Sequence, residues 1–117
     1  AFNGLRVSLA TRIGEPEGNT SPEELIAAAH AGCFAMALSS ELSKAGTPPE
    51  RLEANAVVTL DEVGDAHRIT TVDLTVVGRV PGIDGEAFQQ AAQAAERGCA
   101  VSNVLNAEIR LDARLAS

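Results

Sequence analysis

The amino-acid sequence predicts an α+β domain whose elements follow the order β-α-β-β-α-β. Two observations predict this class. Several segments alternate apolar and polar residues, which is the period of a strand with one buried face. Two other segments begin with helix-capping residues and end at glycine. A chain of 117 residues can form one hydrophobic core and is too short for a second. We therefore expect a single domain over residues 1–117.

The first half of the chain contains a short strand and a long helix. Residues 5–9 alternate apolar and polar side chains, which predicts a strand. Ser21 can cap a helix, Pro22 suits its first position, and Gly46 suits its end. Residues 25–38 are apolar on nearly every side of this helix. The pattern predicts a long, buried central helix.

The second half of the chain contains a hairpin, a second helix and a last strand. Residues 53–62 and 68–80 alternate and are joined by the turn sequence VGDA, which predicts a β-hairpin. A second helix is predicted over residues 84–97, with Asp84 as its cap. A short helical or turn segment, 101–105, leads into an alternating strand over 108–115. We expect an antiparallel sheet packed on the long helix and the second helix.

The charge and hydropathy of the chain exclude some partners. The formal net charge is −7 and the isoelectric point is about 4.7. Nucleic-acid binding relies on clustered Lys and Arg, so we expect no nucleic-acid partner. No uninterrupted apolar run has the roughly 18 residues that a membrane-spanning helix needs, and the first residues do not resemble a signal peptide. A soluble cytoplasmic protein without a membrane partner is the expectation.

Two cysteines are the residues best suited to chemistry. Cys33 and Cys99 are too far apart in sequence to form a CxxC motif. They could be inert core residues, or a structural disulfide worth about 4 kcal/mol in the chain-entropy model. They could also form a redox pair, which a reducing compartment favours over a structural disulfide. A zinc site built from His30 and both cysteines is a more distant alternative, and we predict no metal or cofactor.

A reactive cysteine needs groups that lower its pKa from about 8.5. Cys33 lies about three turns into its helix, where the helix dipole no longer acts. A cation is therefore expected, and Arg12 at the end of the first strand is the best candidate. Glu23 could orient that arginine, or could simply be a favourable acid in the first helical turn. His30 lies on the same face as Cys33, although a hydrogen-bonded core histidine is its simplest interpretation.

The residues around these positions resemble a known family. The string TRIGEPEGNTSPEELIAAAHAGCFAMALSSEL is similar to the active-site strand and central helix of the OsmC/Ohr family of organic hydroperoxide reductases. The strings VPGIDGEAFQQAAQAAERGCAVSNVL and AEIRLDARL resemble the second helix, second cysteine and closing strand of that family. The string AAHAGCF favours the OsmC branch. The resemblance covers essentially the whole chain and implies an OsmC-like fold.

The resemblance also implies an activity and a set of site residues. Cys33 matches the peroxidatic cysteine and Cys99 the resolving cysteine. Arg12 matches the arginine that stabilises the thiolate, and Glu23 the glutamate that orients this arginine. The implied protein reduces organic hydroperoxides, and less efficiently hydrogen peroxide, to alcohols in oxidative or osmotic stress defence. It would be reset by an external dithiol of the lipoyl or thioredoxin type. Family members usually carry a further N-terminal strand, so we expect this region to be abbreviated here.

Two further expectations concern the assembly and a competing function. On one continuous helix, Glu23 and Cys33 are separated by about 15 Å along the axis. One arginine does not easily reach both, so we expect a homodimer with its sites at the subunit boundary. The apolar helix and its small residues agree with this expectation. The competing hypothesis is a non-catalytic ligand-binding or structural stress protein on the same fold.

Overall fold

Three helices and three strands make up the part of the chain that the structure describes, residues 21–116 of a computed structural model. In chain order they are α1 (Pro22–Lys44), β1 (Arg51–Val63), β2 (Ala66–Arg79), α2 (Gly85–Gly98), α3 (Ala100–Val104) and β3 (Glu108–Leu115). The α+β class and the order of these elements are confirmed. The strand predicted over residues 5–9, like Arg12, lies outside the described residues.

Helix α1 begins and ends where its capping residues predict. The Ser21 hydroxyl accepts a hydrogen bond from the backbone N–H of Glu24 at 3.2 Å, and Pro22 occupies the first turn. At the other end, Gly46 adopts a φ of 86°, the left-handed conformation that glycine accepts at helix ends. The backbone N–H of Thr47 then returns a hydrogen bond to the carbonyl of Leu42 at 2.9 Å. Local chemistry therefore fixes both ends of α1.

Only one face of α1 is buried within the chain. Fully buried side chains recur every four positions, at His30, Phe34, Leu38 and Leu42. On the other side Ala28 and Gly32 are exposed, and Met36 is 76% exposed. Among the described residues, β1 and α2 are the main neighbours of α1. The opposite face of α1 is an apolar surface that the described chain leaves exposed. Burial of this face by a second copy stays a prediction.

The sheet has the strand order β1-β2-β3 and is mixed rather than antiparallel. The predicted hairpin is confirmed: β1 and β2 pair antiparallel as far as Val63 and Ala66, and Gly64 turns the chain with a φ of 63°. Strand β3 pairs parallel with β2, which corrects the predicted antiparallel arrangement. The chain crosses through α2 and α3 before β3, and such a helical crossover allows a parallel neighbour.

Helix α2 covers the sheet beside α1. The Asp84 carboxylate accepts a hydrogen bond from the backbone N–H of Ala87 at 2.7 Å, which confirms the predicted cap. Phe88 is fully buried and lies directly over Gly78 of β2. A Cβ atom at Gly78 would lie only 2.8 Å from the Phe88 ring, so the absence of a side chain permits this contact. The helix ends at Gly98, and the next residue, Cys99, is the N-cap of α3.

By length and composition alone, α1 could cross a membrane, with a mean hydropathy of 1.4 over 18 residues. This corrects the expectation that no apolar segment of the sequence is long enough to span a membrane. The same criterion is met by core helices of soluble proteins. Because Phe34, Leu38 and Leu42 of α1 belong to the hydrophobic core with the sheet and α2, we interpret α1 as a core helix.

Candidate active site

Cys33 lies in the middle of α1, at the edge of the core. Its side chain is half-buried and packs against the hydrophobic cluster together with Val101 and Leu105. The thiol is free. The position combines an apolar environment with access from outside, which a cysteine that reacts with an external molecule requires.

Cys99 lies at the junction of α2 and α3. Cys99 is both the C-cap of α2 and the N-cap of α3, and its side chain is fully buried. Its thiol is free and is one of the groups that lower the pKa of Cys33. The fold therefore brings together the two cysteines that the sequence singled out, although neither lies in a short motif.

The backbone at the start of α3 lowers the pKa of Cys33. The largest contribution is the backbone N–H of Val101, which donates to the Cys33 sulfur, and the Cys99 thiol adds to it. Partial burial opposes them, and the N–H of Ala100 gives a smaller lowering. The first N–H groups of a helix have no carbonyl partner within it, so they are free to bind the sulfur.

These N–H groups are a feature that the sequence analysis missed. It considered only the dipole of the helix that carries Cys33 and looked for a cation instead. The available signal was the sequence that follows Gly98, because a glycine stop followed at once by a new helix brings unpaired N–H groups beside Cys99. Nothing in the sequence showed that this junction faces Cys33.

Of the two predicted charged site residues, the structure describes Glu23 but not Arg12. Glu23 is buried in the first turn of α1. The helix continues without a break from Pro22 to Lys44, so Glu23 and Cys33 of one chain are about 15 Å apart along its axis. Arg12 lies outside the described residues. The described part of one chain thus does not bring the predicted glutamate to the thiol.

His30 is buried one helical turn before Cys33. Its Nε2 atom hydrogen-bonds to the hydroxyl of Ser102 in α3 at 2.5 Å, and its Nδ1 atom has no hydrogen-bond partner among residues 21–116. Burial lowers the pKa of His30, and the charge of Glu96 partly opposes this. The observation agrees with a hydrogen-bonded core histidine. Ser102, its partner, is a residue that the sequence analysis did not identify.

The described residues do not favour a metal site. Within the part of the chain that the structure describes, no group of three or more His, Cys, Asp and Glu residues is arranged to hold a metal ion. The zinc hypothesis would need His30 together with Cys33 and Cys99. The Nε2 atom of His30 is instead bound to Ser102. We do not pursue this alternative.

A family model described as OsmC-like protein matches residues 14–114 of the chain. The chain belongs to the OsmC-like family. Peroxiredoxin OsmC of Escherichia coli K12 is 50% identical over 103 residues, which are 88% of this chain and 72% of the relative. The protein of the same name from Shigella flexneri matches equally well. The family resemblance found in the sequence is confirmed, and these relationships make the chain a peroxiredoxin-like oxidoreductase of the peroxidase type.

Solved structures of OsmC-like proteins support the fold. An OsmC-like protein of unknown function from Vibrio cholerae superposes with a TM-score of 0.75 at 23% identity, covering 83% of this chain and 66% of that one. An organic hydroperoxide resistance protein of Bacillus subtilis gives a TM-score of 0.66 at 25% identity, covering 81% and 70%. The chain thus spans about two thirds of the length of these OsmC-like structures.

Proposed function

We propose that the protein reduces organic hydroperoxides to alcohols with Cys33 as the nucleophile. The observation that carries the proposal is the free, half-buried thiol of Cys33, whose pKa is lowered by the Val101 N–H group and by the thiol of Cys99. The Cys33 thiolate attacks one peroxide oxygen, the O–O bond breaks, and the departing alkoxide takes a proton to leave as the alcohol. Cys33 is oxidised to a sulfenic acid and the peroxide is reduced.

Cys99 completes the proposed cycle. Its thiol attacks the Cys33 sulfenic acid, an S–S bond forms, and water leaves. An external dithiol of the lipoyl or thioredoxin type then reduces the disulfide by thiol exchange, and is itself oxidised. The influence of the Cys99 thiol on the pKa of Cys33 supports this step, because it requires the two thiols to be neighbours.

Arg12 and Glu23 are proposed members of the same site. Their roles follow from the family resemblance: Arg12 would stabilise the Cys33 thiolate and the separating oxygen atoms, while Glu23 would orient the guanidinium. The burial of Glu23 is consistent with a carboxylate that has a fixed partner rather than one that is freely solvated.

The surroundings of Cys33 favour a substrate with an alkyl group. Cys33 packs against the hydrophobic core cluster, and burial of an alkyl chain there would add binding energy that hydrogen peroxide lacks. The Bacillus subtilis relative is named for resistance to organic hydroperoxides, which points to the same substrate class. We further propose a cytoplasmic enzyme that acts under oxidative stress and reduces hydrogen peroxide less efficiently.

A homodimer would place the proposed groups together. An open groove of about 640 Å³ lies between α1 and β1, and most of its lining consists of small residues: Ala27, Ala28, Ala31, Gly32, Ala35, Ala54 and Ala56. Cys33 does not line this groove, so we assign it to a second copy rather than to the peroxide. With α1 unbroken, an arginine shared between Glu23 of one chain and Cys33 of its partner would satisfy the distance.

The activity is tested by steady-state kinetics with an alkyl hydroperoxide and with hydrogen peroxide, using lipoyl and thioredoxin-type dithiols in turn. We expect the higher kcat/KM with the alkyl hydroperoxide. If neither peroxide is consumed while the protein is folded, the proposed catalysis is wrong, and the non-catalytic ligand-binding or structural stress protein becomes the better interpretation.

The dimer is tested by sedimentation at micromolar concentration. We expect a dimer for the native chain and a monomer with little activity for Gly32→Leu. A Cβ atom at Gly32 meets nothing within 4 Å in the chain, so this variant should still fold. Gln90→Leu, on an exposed position of α2, is the matched control. A native monomer with full peroxidase activity would contradict the shared site.

A further inference from the structure

The start of α3 must be held in place to act on Cys33. This helix has only five residues, and the Cys99 side chain does not cap it with a hydrogen bond. So short a helix is not stable through its own backbone bonds, because helix formation becomes favourable only over many residues. Something outside α3 has to fix the position of the Val101 and Ala100 N–H groups, which lower the pKa of Cys33.

The hydrogen bond between His30 and Ser102 joins the helices that carry the two cysteines. His30 precedes Cys33 by one turn on α1, and Ser102 follows Cys99 by one turn at α3. The Nε2–Oγ distance is 2.5 Å between residues 72 positions apart in sequence. Both residues are buried: His30 has no exposed surface, and Ser102 is 9% exposed. The pair therefore lies beside the pair of cysteines and connects the same two elements.

We propose that His30 and Ser102 are positioning residues, whose buried hydrogen bond holds the start of α3 against α1 and thereby directs the Val101 and Ala100 N–H groups at the Cys33 sulfur. The pair does not touch the peroxide. It acts through the backbone of α3. This inference rests on the proposed role of Cys33 as the reactive thiol, but its consequence for the acidity of Cys33 can be measured without turnover.

The geometry distinguishes this bond from ordinary core packing. A buried histidine needs a polar partner. Replacing Ser102 by alanine removes the hydroxyl group and would leave Nε2 without one. Among the described residues the Nδ1 atom already has no hydrogen-bond partner. Within residues 21–116, the His30 ring therefore makes its side-chain hydrogen bond to Ser102. Loss of this bond would favour movement of α3 away from α1.

The inference is tested by the pH dependence of Cys33 alkylation, with mass spectrometry to assign the labelled residue. For Ser102→Ala we expect a higher apparent pKa and about a fivefold lower alkylation rate at pH 6, on the order of one lost hydrogen bond. Ser102→Thr keeps the hydroxyl and should restore most of the native rate. Ser40→Ala, on an exposed position of α1, is the control. The thermal midpoint of each variant is measured alongside.

A second variant protects the test against misfolding. His30→Phe removes the hydrogen bond while filling the space of the ring, and should raise the Cys33 pKa as Ser102→Ala does. Because both changes break one interaction, the double variant should show no larger shift than the larger of the two single shifts. An unchanged Cys33 pKa in either folded variant would overturn the inference, as would a Ser102→Thr variant as impaired as Ser102→Ala.

The failure of the inference differs from a failure of the proposed function. If the native protein shows an acidic Cys33 and peroxidase activity, and Ser102→Ala shows the same pKa, the positioning role alone is wrong. If the native protein consumes no peroxide while Ser102→Ala still raises the Cys33 pKa, the positioning role stands and the catalytic role of Cys33 is wrong.

Discussion

Cys33 and Cys99 are one residue type in two different environments. Cys33 is half-buried in the middle of a long helix, and backbone N–H groups from another segment lower the pKa of its thiol. Cys99 is fully buried at the junction of two helices. The groups that lower the pKa of Cys33 therefore come from segments that tertiary structure brings to it and not from its own helix. The first thiol is suited to an external oxidant, the second to an internal partner.

The largest expected effect separates the two cysteines by substitution. Cys33→Ser should abolish peroxide turnover, because the other thiol, Cys99, is fully buried and does not meet an external peroxide. Cys99→Ser should still consume about one peroxide per subunit and then become over-oxidised, since no thiol traps the sulfenic acid. The measurement is peroxide consumed per subunit, with the mass of the oxidised chain. Equal loss of the first turnover in both variants would contradict the unequal roles.

The next effect concerns the proposed cation at Cys33. Arg12→Ala should raise the apparent pKa of Cys33, because the guanidinium is proposed to face this sulfur. Arg12→Lys should also lose most of the activity, since an ammonium does not reproduce a planar fork that binds Glu23 and the thiolate together. The apparent pKa of Cys33 is measured from its alkylation rate as a function of pH. An unchanged Cys33 pKa in Arg12→Ala would remove Arg12 from the site.

A smaller effect is expected at the junction that carries Cys99. The Asn103 side-chain amide donates to the carbonyls of Arg97 and Cys99, each at 3.1 Å. Asn103→Ala should cost about 1 kcal/mol of unfolding free energy and should make Cys99 easier to alkylate. Asn106→Ala, at an exposed position, is the control. If both variants label Cys99 at the native rate, Asn103 does not hold the junction.

The smallest effect is a change of stability with pH. The pKa of Cys33 is lowered in the folded state, so the unfolded chain binds this proton more tightly. The resulting stabilisation is fully present above the unfolded pKa of about 8.5 and is lost as pH falls through the folded pKa. The free energy of unfolding of the native chain, relative to Cys33→Ser, should therefore rise between those two values. A flat difference would mean that the Cys33 pKa is not lowered.

Local sequence signals predicted most of the fold. Ser21 and Asp84 cap the two main helices as expected, and Gly64 turns the predicted hairpin. The parallel pairing of β3 was not predictable from alternation, because a strand has the same period in either direction. The outer face of α1 was assigned to a partner copy, and this assignment stays a prediction, because apolar residues do not show which chain covers them.

The candidate site was predicted in part. Both cysteines were identified, and their proximity is confirmed in the structure. The Val101 N–H group was missed because the sequence after Gly98 does not show that this junction faces Cys33, and Ser102 was missed because its partner His30 is distant in sequence. Long-range contacts of this kind depend on how the helices cross, and residue spacing does not contain that information.

The alkylation rate of the native protein against pH tests the account most directly, with each labelled cysteine identified by mass spectrometry. We predict that Cys33 is labelled with an apparent pKa below that of an ordinary thiol, while Cys99 resists labelling until the protein unfolds. Because a lowered pKa increases the thiolate fraction at neutral pH, Cys33 should react faster there than a model thiol of the same intrinsic nucleophilicity. A Cys33 that resists labelling, or that titrates at or above the ordinary value, would contradict its assignment as the reactive thiol.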